Sequence, residues 1–125
     1  MLAVTMATAQ RNVVGDFTRS PNEHIINEID EPFVVRSIRG CVFLDRDQKM
    51  PLPGVLFEIQ GPGSSKRMRR ATTDKSGRFR IPRTPVGTYR FKTTLMSFQS
   101  EMGTVIVSKK APKHAEIRLT VPVGQ

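Results

Sequence analysis

Residues 71–81 read Ala71-Thr72-Thr73-Asp74-Lys75-Ser76-Gly77-Arg78-Phe79-Arg80-Ile81. In Arg78-Phe79-Arg80-Ile81, basic and apolar residues alternate with the period of two expected of a strand that has one wet and one dry face. The preceding Asp74-Lys75-Ser76-Gly77 has the chemistry of a turn, with Gly77 at the position where a positive φ would clash for any side chain. Before it, Met68 to Thr73 reads as a second strand. Two short runs punctuated by such a turn argue for β structure rather than a helical period.

The same texture extends in both directions as short runs bounded by Gly, Pro and Asp, spaced by about ten residues, as in an all-β sandwich. Seven strands are expected: Val34 to Leu44, Val55 to Gln60, Met68 to Thr73, Arg78 to Ile81, Thr88 to Leu95, Thr104 to Ser108 and Ala115 to Val121. Between them lie turns or loops at Asp45 to Lys49, Gly61 to Ser65, Pro82 to Gly87 and Lys109 to Lys113. The alternation selects a core of Ile38, Val42, Leu44, Val55, Phe57, Ile59, Phe79, Ile81, Tyr89, Phe91, Val105, Val107, Ile117 and Leu119. Tyr89 suits a corner whose hydroxyl reaches back to a backbone group.

Four segments in this order carry a resemblance: Ile38-x-Gly40-x-Val42, then Pro51-Leu52-Pro53-Gly54-Val55, then Ala71-Thr72-Thr73-Asp74-x-x-Gly77-x-Phe79-x-Ile81, then Pro85-x-Gly87-Thr88-Tyr89. Residues 35–121 resemble the carboxypeptidase regulatory-like domain family. The resemblance implies a seven-stranded, transthyretin-like Greek-key β-sandwich. It also implies a non-catalytic accessory module of the kind attached to peptidases, outer-membrane receptors and adhesins. The basic balance of this chain is not part of that family pattern. Transthyretin-like folds also include a hydrolase recognised by a C-terminal Tyr-Arg-Gly-Ser, which Val121-Pro122-Val123-Gly124-Gln125 does not match, and dioxygenases that bind iron through two tyrosines and two histidines. This chain has one tyrosine.

The 125 residues fit one domain. No apolar run approaches the roughly 20 residues of a membrane-spanning helix. One cysteine excludes an intrachain disulfide and a multi-cysteine zinc site, and His24 and His114 lie too far apart for a familiar metal-ligand spacing. No catalytic residue, cofactor or metal is expected. His114 falls in a lysine-rich turn and reads as solvated. Cys41 reads as a half-buried strand residue with no group to stabilise a thiolate, or, if the protein is exported, as a reactive thiol or one half of an intermolecular disulfide. As an apolar residue opposite the core, it suggests that its face is covered, with the N-terminal isoleucines as candidates.

Charge divides the chain. Residues 1–35 carry two arginines against five acids, net −3, whereas residues 36–125 carry 18 bases against six acids, net +12. The N-terminal part, residues 1–33, reads as an arm before a sandwich spanning 34–123. Ala7 and Ala9 have the small-residue spacing of an export cleavage site, so residues 1–9 fit the remnant of a signal; a plain cytosolic N-terminus fits them as well. Asn22 to Ile29 gives a weak helical hint, with Ile25, Ile26 and Ile29 on one face, and one helical turn or an extended arm crossing the body both fit it.

The basic residues Lys66, Arg67, Arg69, Arg70, Arg78, Arg80, Arg90 and Lys92 are the candidate anion-binding set, with Arg83 beside them. If the third to fifth strands lie side by side, these groups form one positive surface suited to phosphate, sulfate or carboxylate; a plain solvated basic face fits them as well. No aromatic expected to be exposed is interleaved with them, which disfavours nucleic acid. Two functions are therefore expected. One is a non-catalytic binding module, secreted or in a bacterial cell envelope, with a protein or anionic-glycan partner. The other is a basic-face binder of anionic polymers (glycan, lipid headgroup or nucleic acid), which is compatible with a cytoplasmic location and with peripheral membrane contact. An exposed edge strand and a free arm would also permit a homodimer.

Overall fold

The structure is a computed structural model that describes residues 17–19, 26–44, 50–61, 68–96 and 98–122. Nine strands form among them: β1 (Ile26–Glu28), β2 (Phe33–Val35), β3 (Ile38–Leu44), β4 (Leu56–Gln60), β5 (Met68–Thr72), β6 (Arg78–Ile81), β7 (Gly87–Thr94), β8 (Ser100–Val107) and β9 (Ile117–Val121). The larger sheet has the order β1-β8-β7-β4-β5, with β2 also on β8, and the smaller has the order β6-β3-β9. The chain is an all-β sandwich, as the alternation requires.

Two differences account for nine strands in place of seven. The expected strand Val34 to Leu44 is broken at Arg36-Ser37, where the chain leaves β8 of the larger sheet and enters the smaller one. Arg36 pins this crossover by donating from Nε to the Ala111 carbonyl at 2.6 Å. The arm contributes the other strand. Ile26–Glu28 runs parallel to β8, so of the two readings of this stretch, helical turn or extended arm, these residues take the extended one, their backbone satisfied by the ladder. Ile25 and the rest of that hint lie outside the described residues, as do residues 1–9, His24, and the expected turns at 45–49 and 62–65. Because β1 and β2 pair parallel with β8, and β9 parallel with β3, both sheets are mixed.

The core lies between the sheets. Phe57 stacks on Phe79 and on Phe91, with ring centroids 4.1 and 5.2 Å apart, joining the two layers at their centre. Of the expected core residues only Leu44 is not buried; it packs on the core from the rim, while Val35, Leu52 and Val121 join it. β8 starts four residues earlier than its sequence suggests. Gly103 explains this: a Cβ there would come 2.8 Å from the Phe91 ring, so the glycine makes room for an aromatic, not a turn.

Gly77 has φ +74° as expected, and the turn it closes joins strands of different sheets. Asp74 Oδ1 accepts from the Ser76 and Arg78 N–H groups, which holds its carboxyl below the ordinary range. Tyr89 donates its hydroxyl to the Pro85 carbonyl at 2.6 Å, the corner role read from the sequence.

Candidate binding faces

The candidate basic residues do not share one surface. β5 ends the larger sheet and β6 ends the smaller, so the two strands joined by the Asp74–Gly77 turn turn their wet faces in opposite directions. Arg70, Arg90 and Lys92 lie on the outer side of the larger sheet, and Arg78 and Arg80 on that of the smaller. Arg69 belongs to neither. It donates to the Pro82 and Arg83 carbonyls at 2.8 and 2.9 Å and to Thr84, tying β5 to the connection after β6. Arg83 in that connection has φ +59°. Lys66 and Arg67 lie outside the described residues.

On the smaller sheet, the central position of β3 brings together side chains far apart in sequence. Arg39 is paired with Arg80, and Cys41 lies between Arg78 and Arg118. Four guanidinium groups therefore project from one sheet face. Glu116 engages Arg78 at 3.3 Å, and Arg118 stands 5.3 Å over the Phe43 ring. Arg39 and Arg80 have no acidic partner among the described residues. The sequence reading missed Arg39 and Arg118. Alternation alone puts both outward, but their adjacency to Arg78 and Arg80 depends on the strand order.

Cys41 is buried on this face, 1% exposed. It is flanked by Arg78 and Arg118, while the described arm strand β1 lies at the edge of the other sheet. Burial pushes its thiol above the ordinary value, against the pull of Arg118 and Arg78, so it stays protonated and unreactive.

The larger sheet carries a different constellation. Arg70, Glu58, Lys92, Met102 and Glu28 form one row across β5, β4, β7, β8 and β1. Glu58 and Lys92 are both 0% exposed although they sit on the outward side. Thr18 of the arm bonds to both. Its N–H and hydroxyl donate to the two Glu58 oxygens, each at 2.9 Å, and its carbonyl accepts from Lys92 Nζ and, at 3.3 Å, from the Thr94 hydroxyl. Phe17, next to it, is buried. Arg90 is engaged as well, forking onto Glu28 at 2.7 and 2.9 Å.

A cleft of ≈ 440 Å³ opens on the β9 side of the sandwich. Its polar groups include Glu101, 2% exposed, which accepts from Asn27 at 2.7 Å, and Arg118 at the rim. Among the described residues its lining holds no histidine, cysteine or lysine. His114 is exposed. No group of three or more His, Cys, Asp or Glu that could hold a metal occurs among the described residues.

The family model for the carboxypeptidase regulatory-like domain matches residues 37–120. No curated protein matches the chain. Among solved structures, the Bacillus anthracis TIE protein is similar at 15% identity and a TM-score of 0.53, over 74% of this chain and 17% of that one. Catechol 1,2-dioxygenase from Pseudomonas arvilla C-1 is similar at 10% identity and a TM-score of 0.51, over 97% of this chain and 68% of that one. At these identities the likeness is one of fold. The chain spans a small fraction of the TIE protein, so that protein's overall task is not carried across.

Proposed function

Since the chain belongs to the carboxypeptidase regulatory-like domain family, whose members are regulatory and non-catalytic, we propose that it is a non-catalytic binding module of the secreted or cell-envelope kind, and that it holds anionic polymers on the outer face of its smaller sheet. The observation that carries this reading is the quartet Arg39, Arg78, Arg80 and Arg118 on one face, with Glu116 engaging only Arg78. Arginine forks pair with sulfate, phosphate and carboxylate groups in two-point geometry, and being weakly hydrated they give up water readily. A flat array of such forks suits a ligand bearing repeated anions. Phe43 already lies beneath Arg118, so the face has no open aromatic on which a base would stack, and an acidic glycan is favoured over nucleic acid.

The test compares full-length R39Q/R80Q/R118Q with R70Q/R90Q on a heparin matrix at about 0.15 M salt, where long-range attraction is largely screened. Loss of retention in the first variant and its survival in the second supports the reading. Equal retention of both variants, or none by the wild type, refutes it. Cell fractionation tests the location: recovery only in the cytosol with an intact N-terminus contradicts export.

A further inference from the structure

The opposite face, the outer side of the larger sheet, holds a second site that does not depend on the arginine quartet. A carboxylate and an ammonium on the wet side of a sheet are ordinarily left in water, because removing an ion from water costs several kcal/mol unless its lone pairs and protons find partners. Glu58 and Lys92 are nevertheless both fully buried, and residues 17–18 supply bonds to each of them. The pairing is directional. Glu58 takes the N–H and the hydroxyl of one residue, while Lys92 and Thr94 take its carbonyl. Two of these three Thr18 groups belong to the main chain and one to a side chain, and the neighbouring Phe17 is itself buried.

We propose that Glu58, Lys92 and Thr94 form a recognition site for an extended peptide segment bearing an aromatic residue followed by a hydroxyl residue, a site that the chain's own Phe17-Thr18 fills in cis. Specificity follows from the chemistry. A segment lacking the hydroxyl leaves Glu58 Oε2 with Arg70 alone, 3.4 Å away, and one lacking the aromatic forgoes the apolar burial that Phe17 has. Reversibility follows too. The binding energy is set against the desolvation of two ions, and of the described residues 17–19 Thr18 and Arg19 remain exposed, so the segment can be exchanged. The same surface then accepts a segment of this chemistry in trans whenever the arm is displaced.

The experiment uses full-length protein and a fluorescein-labelled peptide of residues 13–22, followed by fluorescence anisotropy. The F17A/T18A variant, with its circular dichroism checked against wild type, is expected to bind the peptide at least tenfold more tightly than wild type, in which the arm competes from the same chain. Replacing the threonine of the peptide by valine is expected to weaken binding about tenfold or more, as is adding E58Q to the variant. If F17A/T18A loses its sheet signal, T18A alone, at a surface position, serves for the same comparison. Equal binding of the peptide to wild type and variant, no binding to the variant, or indifference to the valine replacement would each overturn the proposal.

Discussion

Glu58 on β4 and Lys92 on β7 are cross-strand neighbours, and both are sealed from water on the side of the sheet that faces away from the core. Their burial is conditional, because the cover is the arm and not a second sheet. No direct ion pair joins them: Glu58 pairs with Arg70 at 3.4 Å, and Lys92 donates to the Thr18 carbonyl. K92M removes that donor and leaves the carbonyl with the Thr94 hydroxyl at 3.3 Å. It is therefore expected to destabilise by about 1–3 kcal/mol in urea unfolding, and to render the bonds around Arg19 sensitive to trypsin. A loss above that range with an uncleaved arm would mean that the cover is rigid.

Gly40 tests the packing of the smaller sheet. A Cβ there would come 1.9 Å from the Ile117 carbonyl oxygen, a backbone atom of the paired strand that cannot turn aside. G40A is expected to cost about 3 kcal/mol or more, at the upper end of overpacking penalties, measured as a fall in the urea midpoint. A shift of a few tenths would show that β3 and β9 are farther apart than described.

Asp74 predicts an acid-side dependence. Its folded-state pKa lies below the ordinary 3.8 because the N–H groups of Arg78 and Ser76 bond to the carboxylate. A depressed folded pKa stabilises at pH values above the unfolded one and is lost as pH falls through the folded value. The melting temperature should thus be flat with respect to this group above about pH 5 and decline below about pH 4. D74N should show a shallower acid decline than wild type; identical curves would remove Asp74 from the account.

Cys41 is buried with its thiol pushed up by desolvation. Native protein at pH 8 should react with a disulfide reagent far more slowly than urea-unfolded protein, by about a hundredfold if reaction requires opening of the sheet. Fast native labelling would contradict a closed face.

What could be read from the sequence was whatever depends on alternation. Phe79 and Ile81 inward with Arg78 and Arg80 outward, Gly77 at positive φ, and Tyr89 at its corner all follow from local geometry. What could not be read depends on which strands lie next to which. Arg78 and Arg90 look like members of one cluster in sequence, yet they stand on opposite sides of the sandwich, and the true neighbours of Arg78 and Arg80 come from β3 and β9. Lys92 alternates as a solvated residue should, and only the arm's return across 74 positions buries it. The break at Arg36-Ser37 was hidden for a similar reason. Apolar residues continue on both sides of it, and the mark is slight: Arg36-Ser37 sets the buried Val35 and Ile38 three positions apart where a single strand would set them two apart.

The most direct test of the anion-binding face is an NMR titration of the full-length protein with a sulfated oligosaccharide, following the arginine side-chain Nε–H resonances. The account predicts saturable shifts at Arg39, Arg80 and Arg118, with Arg70 and Arg90 unmoved. Shifts confined to Arg70 and Arg90, or spread evenly over all exposed arginines, would contradict it.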